Sequence, residues 1–194
     1  MSDSTVCGTF LKGCTMLWIW IVVGIVAAVI TVDQLSKILV LTYLYEGQVE
    51  VIPGILNFTY VENDGMAFGL LSEHRWVFLI LSVVGIGLMG FYLARFVTRW
   101  KSRVALALII GGGIGNMIDR LSLGFVVDFI DFCAFPEIWY WVFNVADAAV
   151  CVGAGLFILD LLLEIIADAK KAKKIRMTAN GTENASDADK NGDM

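Results

Sequence analysis

An all-α membrane protein is predicted by three features of this 194-residue chain: its composition, the length of its apolar runs and the segregation of its charges. Hydrophobic residues make up 58% and charged residues 17%, with six Trp and twelve Phe, a composition suited to lipid rather than to water. Four runs are long enough to cross a hydrocarbon core of about 30 Å, which takes roughly 20 helical residues. Basic residues cluster outside these runs, and the positive-inside rule orients them. The predicted architecture is four transmembrane helices with a small extracytoplasmic β hairpin or sheet, and with both the N and C termini cytoplasmic.

The first run extends from Met16 to Leu44 and begins "MLWIWIVVGIVAAVI". It is too long, and lacks the following small-residue cleavage site, for a removable secretory signal. "LKGC" at residues 11–14 is faintly like a lipidation box but precedes the apolar run instead of following it, so it is discounted. The other runs are Trp76 to Val97, Val104 to Leu123 and Ala146 to Ala167. Lys12, the group Arg95, Arg99, Lys101 and Arg103, and the group Lys170, Lys171, Lys173, Lys174 and Arg176 are then cytoplasmic. The outer loops, Tyr45 to Arg75 and Gly124 to Asn144, hold eight of the carboxylates against one Arg. In the first of them "VEVIPGILNFTYVEN" pairs β-branched and aromatic residues with a Pro53-Gly54 turn signal, which predicts a hairpin or small sheet. Residues 1–176 are expected to form one integral membrane domain, as a monomer. Residues 177–194, "MTANGTENASDADKNGDM", are polar and aperiodic and are expected to be a disordered cytoplasmic tail.

Several function classes drop out. The net charge of −5 comes without a basic stripe, so no nucleic-acid partner is expected. Of the four cysteines only Cys133 faces outward, so no intramolecular disulfide is expected. The single His74 cannot build a His-Glu-x-x-His zinc site, and no G-x-S-x-G elbow is present. Neither a metal nor another cofactor is expected. Carboxylates and amides remain as candidates for chemistry.

Their placement is informative, because a carboxylate stranded in apolar surroundings costs several kcal/mol. Asp33 and Lys37 lie toward the outer end of the first helix, one turn apart. Gly112, Asn116 and Asp119 share a face of the third, in a glycine-rich stretch that permits close helix approach. Asn144 and Asp147 open the fourth, and "GFVVDFIDF" carries Asp128 and Asp131 in the loop before it. Each has a purely structural explanation. Asn144 with Asp147 resembles an N-cap and its N3 acid. Asp119-Arg120 reads as an interfacial ion pair, Asp33 with Lys37 as a helix-surface pair, and Asp131 as a solvated loop acid. Trp139, Tyr140 and Trp141 read as an interfacial belt.

Taken together the residues say more. "DQLSK", "NDGMAF", "GNMIDR", "VVDFIDF" and "FNVADAAVCVG", in order from Asp33 to Gly153, resemble the signature blocks of the lipoprotein signal peptidases, the type II signal peptidases of bacteria. The resemblance implies an aspartic endopeptidase of the bacterial cytoplasmic (inner) membrane, with its active site at the extracytoplasmic face. Its substrates would be lipid-modified prolipoproteins, cut on the N-terminal side of the diacylglyceryl-modified Cys, with membrane lipids as the other partners. The family's catalytic pair falls on Asp128 and Asp147, and its supporting residues on Asp33, Asn63, Gly65, Asn116, Asp119, Arg120 and Asn144. Ala148 stands where many relatives carry Ser or Thr.

Two carboxylates within a few Å cannot both ionise easily and share one proton. The ionised member takes a proton from water, which attacks the scissile carbonyl, while the protonated member donates to the carbonyl oxygen. Roles are assigned to the pair, not to its members. The alternative reading is a proton- or ion-coupled small membrane transporter, with Asp160 and Glu164 as a relay; four helices without an inverted repeat speak against it. A non-enzymatic scaffold would require Asp128 and Asp147 to be dispensable. Presenilin-type proteases require a Gly-x-Gly-Asp block that is missing.

Overall fold

In lipid every backbone N–H and C=O must be satisfied within the segment or by a neighbour, so long apolar runs become helices. The computed structural model describes residues 3–45, 47–64, 75–134 and 141–190, with the backbone alone for 3–15, 75, 78 and 174–190. Its elements are α1 (Asp3–Tyr43), β1 (Gln48–Ile52), β2 (Leu56–Asn63), α2 (Arg75–Arg95), α3 (Trp100–Ser122), β3 (Val126–Phe132), β4 (Val142–Phe143) and α4 (Val145–Lys190). Among the described residues, three helical stretches suffice by length and composition to cross a membrane: Met16–Tyr43, Trp100–Ser122 and Val145–Lys173. Leu79–Arg95 in α2 is apolar but shorter. Two compact units are present, Met1–Leu156 and Phe157–Met194; everything that positions the site lies in the first.

α3 is the central helix of that unit. It buries Ala105, Leu106, Ala107, Ile110, Gly111, Gly112, Gly115 and Asp119, whereas α1, α2 and α4 leave side chains such as Trp20, Leu81, Leu88 and Ile158 exposed. Exposed apolar side chains on this scale fit a molecule whose solvent is hydrocarbon. Glycines set the approach of its neighbours. A Cβ at Gly112 would strike the Ala146 carbonyl oxygen of α4, and one at Gly115 would lie 2.6 Å from Asp33 Oδ2 of α1. Hydrogen in place of a side chain brings three helices together at the depth of the polar residues.

The strands form a larger sheet than a hairpin. Four antiparallel strands run in the order β1-β2-β3-β4. The turn between β1 and β2 uses Gly54 at φ 68, a left-handed conformation that only glycine adopts without strain. The stretch "GFVVDFIDF", expected as loop, is therefore mostly strand: Gly124 (φ 93) reverses the chain after α3, and β3 follows between β2 and β4. The cause is its β-branched and aromatic content, which the two intervening carboxylates obscure. Val127 and Phe129 pack with Val40 of α1, and Phe58 meets Phe129 edge-on at 5.8 Å. This cluster seats the sheet on the end of α1. Asp131, expected as a solvated loop acid, lies in β3 opposite Asn57 and Val142 and is only partly exposed.

At the other end, α4 continues to Lys190, through most of the stretch expected to be disordered. A helix satisfies its own backbone bonds, so it needs no apolar periodicity to be continued from a well-formed turn.

Candidate active site

Three elements deliver polar side chains to one place: the C-terminal end of α3, strand β3 and the start of α4. Asp128 is 1% exposed and points from the middle of β3. Its Oδ2 accepts from Asn63 Nδ2 at 2.7 Å and its Oδ1 from Asn144 Nδ2 at 2.6 Å. Asn63 reaches it because β2 and β3 are paired with Val61 opposite Asp128 and Asn63 opposite Val126, a diagonal neighbour across the ladder. Burial pushes the Asp128 carboxyl up from 3.8 to about 6, and the charge of Asp147 pushes it the same way; the amide hydrogen bonds and Lys37 oppose the rise.

Asp147 is placed by the helix it opens. Its backbone N–H donates to Asn144 Oδ1 at 2.9 Å, and the Asn144 N–H donates back to Asp147 Oδ2 at 3.3 Å, so the reciprocal cap expected from the sequence is formed. Its other oxygen accepts from Asn116 Nδ2 at 2.7 Å. Asn144, fully buried, thus caps α4 with one part of its side chain and holds Asp128 with the other. Structural and chemical explanations of this residue coincide.

Beneath the pair lies a buried charge cluster. Lys37 Nζ is 2.9 Å from both Asp33 Oδ2 and Asp119 Oδ2, with all three side chains at most 3% exposed. The expected helix-surface pair of Asp33 and Lys37 is therefore an interior one. The expected Asp119-Arg120 ion pair is corrected too: Asp119 pairs with Lys37 and accepts from Gln34 Nε2 at 2.8 Å and from the Val127 N–H at 3.1 Å. Adjacent helical residues point in different directions, which is why neighbours in sequence take different partners. Arg120 instead donates weakly to the Asn116 carbonyl and faces the charges of Asp147 and Asp128. With Trp76, Leu79 and Leu121 it lines a cavity of about 60 Å³.

Of the residues singled out from the sequence, Asp33, Asn63, Asn116, Asp119, Arg120, Asp128, Asn144 and Asp147 all enter this arrangement. Gly65 lies outside the described residues, as do Trp139 and Tyr140 of the expected aromatic belt; Trp141 is exposed. Gln34 and Lys37 were not expected in the site. Their signal was available: a Gln and a Lys flank the carboxylate Asp33 in a run otherwise fit for lipid, and buried polar groups require partners. Among the described residues no group of three or more His, Cys, Asp or Glu could hold a metal ion.

Known proteins resemble this chain in sequence and in fold. Residues 25–163 match the family profile described as "Signal peptidase (SPase) II". The lipoprotein signal peptidase of Shewanella piezotolerans is 43% identical over 178 residues, covering 85% of this chain and 96% of that protein. Those of Desulfitobacterium hafniense and Clostridioides difficile are each 42% identical, over 80% and 76% of this chain. Two solved structures titled as a bacterial membrane enzyme superpose with TM-scores of 0.69 and 0.68 at 32% and 33% identity. They cover 76% and 74% of this chain and 90% and 94% of theirs.

Proposed function

Because this chain belongs to the signal peptidase II family and is a bacterial membrane peptidase, we propose that Asp128 and Asp147 are its catalytic pair, cutting diacylglyceryl-modified prolipoproteins just before the lipidated Cys. The observation that carries the assignment is Asp128: a strand carboxylate, buried, held by two neutral amides, beside the acid that opens α4. A group raised to about 6 is a natural proton holder for the pair. Asp147 accepts from the Asn116 amide and from the Asn144 N–H, so it is presented as the acceptor. In the proposed reaction Asp147 takes a proton from water as its oxygen attacks the scissile carbonyl. Asp128 donates its proton to the carbonyl oxygen; as the C–N bond then breaks, Asp147 gives the leaving nitrogen the proton it took from water and Asp128 recovers a proton from the gem-diol.

The remaining residues divide the supporting work. Asn63 and Asn144 orient Asp128, Asn116 orients Asp147, and Asp33 and Asp119 hold the backbone on which the acids sit. Arg120, at the edge of a small apolar cavity, is placed to meet the substrate backbone or the charge that develops on it. Gly65 would belong to the same surface. α2 would complete four membrane crossings, with both termini cytoplasmic and the sheet at the extracytoplasmic face of the inner membrane. A diacylglyceryl cysteine anchored in the outer leaflet then brings its scissile bond to the depth of the acids, while exposed apolar helix faces accept its chains.

The test is cleavage of a diacylglyceryl-modified peptide and its unlipidated twin by the purified protein, with and without a chelator. Cutting of the lipidated form alone, unaffected by the chelator, is expected. Equal cutting of both would remove the proposed lipid requirement.

A further inference from the structure

Among the described residues Lys37 is the one cation paired inside the buried cluster, and its connections run further than charge neutralisation. Its Nζ meets three acceptors at 2.9 Å: Asp33 Oδ2, Asp119 Oδ2 and Asn116 Oδ1. An ammonium carries three protons, so its donors are all used. Each acceptor leads on to the acids above. Asp33 Oδ1 accepts the backbone N–H of Ala146, the residue before Asp147. Asp119 Oδ2 accepts the backbone N–H of Val127, the residue before Asp128. Asn116, its carbonyl oxygen taken by Lys37 and Asn144, can turn only its Nδ2 toward Asp147. One ammonium on α1 therefore sits at the root of three routes that end on two acids carried by different elements, β3 and α4.

Stability alone is a poor reason for such a cluster, since well-packed apolar residues in place of a buried ion group are often neutral or stabilising. We propose that Lys37 is a positioning residue for the reaction: its tripod of hydrogen bonds fixes the spacing and orientation of Asp128 and Asp147 through Asp33, Asp119 and Asn116. This rests on the assignment of that pair as catalytic. Lys37 does not touch substrate; it sets the geometry in which a proton can be shared. A guanidinium is planar and cannot present three donors in the tetrahedral directions of an ammonium, so Arg conserves the charge without the geometry.

The experiment compares purified Lys37→Arg and Lys37→Met with Asp128→Asn and Asp147→Asn on the lipidated peptide, reading kcat, KM, the pH profile and thermal unfolding. Both Lys37 variants are expected to fold and to lose roughly 100-fold in kcat with KM little changed, the cost of a misplacement of about 1 Å. Lys37→Met alone should also displace the pH profile upward, since it removes a positive charge near Asp128 while Asp33, Asp119, Asp147 and Arg120 remain. Folded Lys37 variants with unchanged kcat and pH profile would overturn the inference, as would a rise in KM alone. Failure of both to fold would assign Lys37 to folding and overturn it equally. Activity in either Asn variant would instead bring down the catalytic assignment, so the two failures are distinguishable.

Discussion

Two pairs of aspartates share one hydrogen-bond network in this molecule and are held by opposite means. Asp33 and Asp119 clasp a buried lysine, so their charge is met inside the protein by a cation and by backbone N–H groups. Asp128 and Asp147 receive neutral amides and N–H groups from Asn63, Asn116 and Asn144. Burial and the charge of Asp147 raise the Asp128 carboxyl to about 6, against the pull of its amide hydrogen bonds and of Lys37. Under the proposed assignment, the same side chain is a fastener in one pair and a reagent in the other.

The largest test of that contrast exchanges the reagent for its amide. Asp128→Asn and Asp147→Asn should each lower kcat by about 10³-fold or more while leaving folded protein that accumulates lipid-modified precursor. Normal turnover in either variant would erase the distinction between the pairs. On the other side of the comparison, Gly115→Val drives a side chain into Asp33 Oδ2 and should cost about 1–3 kcal/mol of stability, read by thermal unfolding in detergent. An unchanged unfolding temperature would mean that the fastener pair is not tightly packed.

Asn63→Ala sharpens the picture at smaller scale. It removes a 2.7 Å hydrogen bond that favours the charged form of Asp128, so activity should fall about tenfold and the pH profile should move upward. A fall in activity with the profile unmoved would detach Asn63 from the proton of Asp128. The mildest effect is pH itself. Folding raises Asp128 from 3.8 to about 6, so the folded state holds that proton more tightly. Its contribution to stability is complete below 3.8 and is lost as pH rises through about 6. With Asp128 as the proton donor, kcat/KM of the free enzyme should fall as pH rises through about 6. A profile flat across pH 6 would transfer the donor role elsewhere.

Much of this was legible in the residues. Apolar runs long enough for lipid announced α1, α3 and α4, and Asn144 with Asp147 announced the cap that opens α4. The β character of "GFVVDFIDF" was harder to read, because Asp128 and Asp131 interrupt an aromatic run and resemble loop punctuation. Strand pairing with β2 overrode that impression. The destinations of Lys37 and Asp119 were not readable, since both had plausible partners nearer in sequence. Lys37 kept Asp33 and added Asp119 at the same distance, across an α1–α3 interface where Gly115 gives Asp33 room.

By itself, the sequence determined the solvent, the long helices, the chemical types available and the family, because composition and local spacing express those directly. Which carboxylates clasp Lys37 and which receive neutral amides was decided only by the tertiary structure. That outcome depends on distances of about 3 Å between residues far apart in the chain, and such distances exist only once α1, α3, α4 and the sheet have closed around one another.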